Sequence, residues 1–211
     1  MMQYPNIAIP PRSEHLWRYT PWKRIHPTKV EEMPNADPIF FSSGEDSAMD
    51  DSNEIARSFI HSISSVCKLV ALDDELQELD LRCSGHICAG EINVKSQGTS
   101  TLIVRISGDA GWTGIRISGE VKGTLSVAVV NDLSGEGHLL RCEDWVVGRD
   151  STLEFATLSA GGFLNKSDIR VNLTQTGSEL RGGIASNGHN SRHDDHHIEI
   201  THKSKHTYSS L

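Results

Sequence analysis

Thiols are scarce in this chain and are not grouped for chemistry. Its four cysteines, Cys67, Cys83, Cys88 and Cys142, show no CxxC spacing, which excludes a zinc ribbon and a thioredoxin-like redox motif. Even the nearest pair, Cys83 and Cys88, reads first as small buried apolar residues rather than as metal ligands. Positive charge is also in short supply. Against 28 Asp and Glu stand 20 Lys and Arg, a formal net charge of −8, which argues against a general nucleic-acid or membrane-surface binder. No apolar run approaches membrane-spanning length, and Met1-Met2-Gln3-Tyr4-Pro5 lacks the charged-then-apolar start of a secretory signal, so a cytoplasmic protein is expected. Gly161-Gly162 is not followed by Lys-Ser/Thr entering a helix, and is no phosphate loop.

Two further absences divide the chain. No proline occurs beyond Pro38, and only one of the 18 glycines precedes Gly85. Early proline predicts an extended, irregular lead-in, and glycine spread through a β-rich sequence predicts many tight turns between short strands. Between them lies one helix candidate, with Ile55, Phe59, Ile63 and Val66 on one face and Asp51 or Ser52 as N-cap. The polar, acidic stretch from Phe41 to Asp51 reads as a flexible linker. The expected organisation is a lead-in, linker and helix over residues 1–80 and a β-rich core over 81–211.

From about Leu76 the period is two. Leu102, Val104 and Ile106 alternate with Thr101, Ile103 and Arg105, and Ile169, Val171 and Leu173 alternate with Asp168, Arg170 and Asn172. No helical pattern intervenes, so the crossovers of an α/β fold are missing. Sandwich, barrel and β-helix remain. Hairpin signals are confined to Asn187-Gly188, and strands that turn corners without reversing suit a parallel β-helix, although no fixed repeat length is visible. Its inward ladder is expected to include Val104, Ile117, Val127, Val171 and Ile200. Trp17 and Trp22, beside Arg18, Lys23 and Arg24, read as anchors for the lead-in. Trp112 and Trp145 read as core or rim, and Cys142, next to Glu143 and Asp144, as a structural thiol.

Six of the 11 histidines (His189, His193, His196, His197, His202 and His206) fall in the last 23 residues. Treated as a strand, this region puts His193, Asp195, His197 and Glu199 on one face and His196, Ile198, Ile200 and His202 on the other, buried one. The spacing lets His193, Asp195 and His197 converge on a divalent ion, or lets the carboxylate orient both rings. A polar ladder or a hydrogen-bonded corner explains the same pattern without a metal. If a metal were held with an open position, a β-helical metal-dependent hydrolase or hydratase becomes the competing function, with Asp194, Asp195 or Glu199 as base.

The same run resembles the SufB/SufD pattern His-x-Asp-x-His, four residues, then His-x-x-Pro-His-Thr-x-Ser. The matching positions are His193, Asp195, His197, His202, His206, Thr207 and Ser209, and Lys205 stands where the pattern has proline. Leu158 to Gly162 and Asp168 to Leu173 resemble the preceding family segment, and Glu14-His15-Leu16-Trp17-Arg18-Tyr19-Thr20 resembles the lead-in of SufD-like members. The resemblance implies a mainly β chain, a right-handed parallel β-helix with an N-terminal irregular and helical segment. It also implies a non-catalytic scaffold subunit in iron–sulfur cluster assembly, acting in a SufBCD-type complex. Its partners would be a SufB- or SufD-like paired subunit and a SufC-like ATPase, with no nucleic acid and no membrane. No cofactor is expected on this chain alone, and an iron–sulfur cluster only in the complex. Longer relatives continue into a Cys/His-containing region and a helical end that docks the ATPase. The chain therefore reads as C-terminally short, with an open β-helix end that seeks a partner.

Overall fold

The computed structural model describes Tyr4 and residues 6–211; the N-terminal stretch read above for a signal lies mostly outside the described residues. After a 3-10 turn at His15–Trp17, the short helix α1 (Trp22–Ile25) leads to three two-residue strands, β1 (Asp37–Pro38), β2 (Phe40–Phe41) and β3 (Glu45–Asp46), and then to helix α2 (Ile55–Ile63). Twelve strands follow in pairs: β4 (Cys67–Asp73) and β5 (Leu76–Cys83), β6 (Ile87–Gln97) and β7 (Thr99–Gly108), β8 (Trp112–Val121) and β9 (Thr124–Leu133), β10 (His138–Val147) and β11 (Thr152–Ser159), β12 (Leu164–Leu173) and β13 (Glu179–Ser186), β14 (His193–His202) and β15 (Tyr208–Ser210).

Each pair is one coil. The even-numbered strands from β4 to β14 stack in parallel into one sheet and the odd-numbered strands from β5 to β15 into another, a β-solenoid of about six turns. The expectation of a parallel β-helix is thereby met, and so is its ladder. Val104, Ile117, Val127 and Val171 are buried in the core between the sheets, with Ile200 packed against it. A repeat is also present where the sequence showed none. Ile87, Trp112, His138, Leu164 and His193 are in register, at steps of 25, 26, 26 and 29 residues. The repeat is carried by backbone pairing, and the aligned positions have no residue type common to all coils, so composition does not display it.

Two glycine positions show how tightly the coils stack. Gly98 and Gly123 occupy one corner on successive coils with φ of 65° and 89°, in the left-handed region that glycine enters without steric cost. Gly119 lies opposite Trp145 in the register between β8 and β10, and a Cβ there would overlap the indole ring. Trp145 thus fills the interior, while Trp112 faces out beneath α1 and donates its Nε1–H to the Ile25 carbonyl at 2.7 Å.

Three local expectations are corrected. The stretch from Phe41 to Asp51 is no flexible linker in its first part, because β2 pairs antiparallel with β5 and β3 with β4, covering the edge of the first coil. An open sheet edge requires partners for its N–H and C=O groups, whatever the composition of the covering segment. Helix α2 ends at Ile63, so Val66 lies beyond it and packs on the interior core. Its N-cap is Glu54, without a side-chain cap bond, while Asp51 and Ser52 brace the approach: Asp51 accepts from Ser58 Oγ at 2.9 Å and Ser52 Oγ from Glu54 N–H at 3.1 Å. The first coil begins at Cys67, ahead of the expected boundary at 80.

Substituting Gly119→Ala should cost about 1–3 kcal/mol by overpacking against Trp145. Gly183→Ala, where a Cβ meets nothing within 4 Å, should stay within about 0.5 kcal/mol of the parent. Urea denaturation of both variants checks the contrast, and equal losses would contradict the stacking described here.

Candidate functional site

The outer face of the even-numbered sheet changes character from coil to coil. Register aligns Ile87, Trp112, His138, Leu164 and His193 in one column, Ala89, Gly114, Leu140, Lys166 and Asp195 in a second, and Glu91, Arg116, Cys142, Asp168 and His197 in a third. The first two columns are apolar over most of their length and bury Trp17, Trp22, Ile25, Phe59 and Ile60 in a second core outside the solenoid. Trp17 and Trp22 are therefore the anchors their sequence context suggested. Charge lies along the third column and over the last coils of the other two, and the lead-in and α2 meet it with matched polar groups.

Arg57 of α2 is the centre of that match. Though only 2% exposed, its guanidinium bonds Asp144 through Nε at 2.8 Å, Asp168 through Nη1 at 2.5 Å and the Glu143 carbonyl through Nη2 at 3.1 Å. Asp168 also accepts from Arg170 Nε at 3.2 Å and pairs with His197 Nδ1 at 2.8 Å. Burial alone would raise the Asp168 carboxyl, but the Arg57 and Arg170 guanidiniums outweigh it and hold it below the usual carboxylate range. Nearby, Glu91 takes His61 Nδ1 at 3.0 Å and Arg116 Nη1 at 3.3 Å.

The ladder read from the sequence has the expected parity. His193, Asp195 and His197 lie on the outer face, and Ile198 and Ile200 pack on the interior. Each outer residue takes a different partner. His193 Nε2 lies 3.1 Å from Thr20 Oγ1, Asp195 Oδ2 accepts from Lys166 Nζ at 3.0 Å, and His197 meets Asp168. Lys166 is itself buried, its ammonium 5.2 Å from the Trp17 ring centre. Among the described residues no group of three or more His, Cys, Asp and Glu side chains is disposed to hold a metal ion. A cavity of about 390 Å³ remains between lead-in and ladder, lined by His15, Leu16, Tyr19, His193, Asp195 and His197 among others.

The family-pattern positions build a corner at the end of β14. His202 Nδ1 lies 2.6 Å from Thr207 Oγ1 and its Nε2 3.1 Å from Ser209 Oγ, and Thr207 Oγ1 donates to the Ser204 carbonyl at 3.2 Å. His206 adopts φ 53°, a left-handed turn, and its carbonyl accepts the Gly177 N–H at 2.9 Å. His202 is thus hydrogen-bonded, but it is exposed at the end of the strand and not buried as the sequence parity implied, because only the short β15 follows to cover it.

Sequence reading missed Arg57, Lys166 and His15, and it missed a polar lining inside the solenoid. There His196 sits between Ser167 Oγ on its Nδ1 and Ser186 Oγ on its Nε2, and burial, then the charge of Arg141, pushes its pKa down to about 4. Arg141 donates to Thr157 Oγ1 at 3.0 Å, and its Nε stands 3.0 Å from Glu143 Oε1 without an aligned hydrogen bond. The period-two pattern did place His196 inward, but pattern alone does not reveal its partners. The thiols are insulated. Burial pushes Cys83 and Cys142 up to about 12 and Cys67 up to about 11, so thiolate is disfavoured at each.

Arg57→Met should destabilise the protein by about 3–5 kcal/mol, because Asp168 and Asp144 lose their shared cation in a largely dry setting; chemical denaturation measures it. His196 gives a pH dependence of definite sign. Above its ordinary pKa of 6.5 the ring is neutral whether the chain is folded or not. As pH falls from there towards about 4, the unfolded chain takes up a proton that the folded chain refuses, so stability drops across that window. The depressed Asp168 carboxyl adds a further loss at lower pH, as it is protonated through its folded-state pKa. His196→Gln should flatten the slope between about pH 6.5 and about pH 4, read from denaturation midpoints.

Residues 91–211 match the family model described as SUF system FeS cluster assembly, SufBD core domain. No curated protein and no solved structure gives a match.

Proposed function

The chain belongs to the SufBD core family and so has a role in iron–sulfur cluster assembly, and from that premise we propose that it serves as a non-catalytic scaffold subunit of a SufBCD-type complex. Its partners in this reading are a SufB- or SufD-like paired subunit and a SufC-like ATPase. The SufD-like lead-in, Glu14-His15-Leu16-Trp17-Arg18-Tyr19-Thr20, favours the SufD-like position in that pair.

One observation carries the scaffold reading: each polar side chain of the candidate site commits an atom to holding the assembly of strand, helix and lead-in together. His193, Asp195, His197, Lys166, Asp168 and Arg57 each bond a group that fastens the lead-in and α2 to the sheet. An enzyme needs such groups aimed at substrate, with a base within hydrogen-bond reach of the proton it removes. A metal-dependent hydrolase built on the C-terminal histidines is accordingly not favoured. The thiols support the same reading, since Cys83 and Cys142 are held as thiols by burial and a cluster needs thiolates. In this proposal a cluster forms only where the paired subunit contributes ligands.

Anaerobic incubation of the chain alone with iron and sulfide should give no stable sulfide-to-iron absorption. The chain co-expressed with a SufB-like subunit and a SufC-like ATPase should co-purify with both and acquire that absorption on the same treatment. A stoichiometric cluster on the chain alone that disappears in Cys142→Ser would overturn the proposal, as would failure to co-purify.

A further inference from the structure

We propose that His15 and His197 form a binding site for a divalent transition-metal ion, zinc in the first instance, that ties the lead-in to β14. The site is separate from the assembly role and does not rest on it. It uses a residue, His15, that only the tertiary structure brings near the histidine-rich strand.

The first support is the way His197 is held. An ionised carboxylate can only accept, so the bond from His197 Nδ1 to Asp168 Oδ1 at 2.8 Å places a proton on Nδ1. The neutral ring then carries its lone pair on Nε2. A carboxylate that fixes the tautomer and orientation of a histidine from behind is the usual outer support of a metal-ligating imidazole. Asp168 is in turn fixed by Arg57 and Arg170, so the ring stands on a rigid mount.

The second support is the position of His15. Its 3-10 turn is pinned by the buried Leu16 and Trp17, while His15 itself stays exposed, in ring contact with His197. The two ring centres are 5.9 Å apart with the planes inclined at 54°. Two imidazoles sharing one tetrahedral ion, with metal–nitrogen bonds of about 2.1 Å, stand roughly 5–6 Å apart by centre, so little movement is needed. The third support is room. The cavity beside these rings holds about 390 Å³, and Asp195, which commits Oδ2 to Lys166, lies on its wall.

The chemistry selects the class of ion. Two imidazole nitrogens suit zinc, nickel or copper and not magnesium or calcium, which require oxygen. No third His, Cys, Asp or Glu ligand is in place among the described residues, so water completes the coordination. The ion acts as a pin: it binds the docked lead-in and not the released one, and it therefore stabilises docking by mass action.

Calorimetric titration of zinc chloride into the full chain tests this. One ion per chain should bind, and affinity should fall by about tenfold or more in His15→Gln and in His197→Gln, with His189→Gln and His206→Gln unchanged. His15 is exposed and its one hydrogen bond in the turn is made by its backbone carbonyl, so His15→Gln remains decisive if His197→Gln fails to fold. Amide exchange over residues 12–25 should slow on adding zinc to the parent and not to His15→Gln. Binding by tail histidines only would show as a loss in His189→Gln or His206→Gln with His15→Gln like the parent, and that result overturns the proposal. So does zinc-independent exchange of the lead-in.

Discussion

In-register parallel stacking is the constraint from which the rest follows. Coils lie roughly 4.8 Å apart along the stack, so every side chain sits directly on its counterparts above and below, and a face is decided column by column. An interior column must be apolar or internally hydrogen-bonded, and one bulky residue demands a small neighbour. Trp145 over Gly119 is the plainest case. The same rule divides the outer face of the even-numbered sheet by column, two of them apolar except over the last coils and a third that carries charge from Glu91 to His197.

That division explains why the lead-in and α2 dock as they do. Apolar columns bury tryptophan, isoleucine and phenylalanine, which supplies most of the free energy of docking at about 1.5–3 kcal/mol for each large side chain fully buried. The charged columns add little net stability, since buried ion pairs roughly repay their own desolvation. What they add is specificity. Arg57 has one arrangement that satisfies Asp144, Asp168 and the Glu143 carbonyl together, and that arrangement ties α2 to two successive coils, β10 and β12.

For a family concerned with assembling clusters, this architecture offers rigidity rather than reactivity. Four thiols are free, three of them buried, and the strongest polar groups are committed to holding segments together. No helix among the described residues is long and apolar enough to cross a membrane. A rigid solenoid with its first coil covered and its lead-in clasped is a body on which partner subunits can be positioned.

The sequence by itself determined the class of fold and the facing of its strands. Period-two alternation needs only local information, because neighbouring side chains on a strand must point opposite ways, and it correctly sent Val104, Ile117, Val127 and Val171 inward and His193, Asp195 and His197 outward. Clustered large apolar residues likewise marked Trp17 and Trp22 as anchors. Only the tertiary structure decided who meets whom. The register that sets His197 on Asp168, and both under α2 and the lead-in, depends on pairing across some 30 residues of sequence and on a docking across more than a hundred, distances over which no local pattern carries a signal. The edge strands β2 and β3 were hidden for the same reason. Their need for hydrogen-bond partners is a property of the coil they cover, not of the polar residues that cover it.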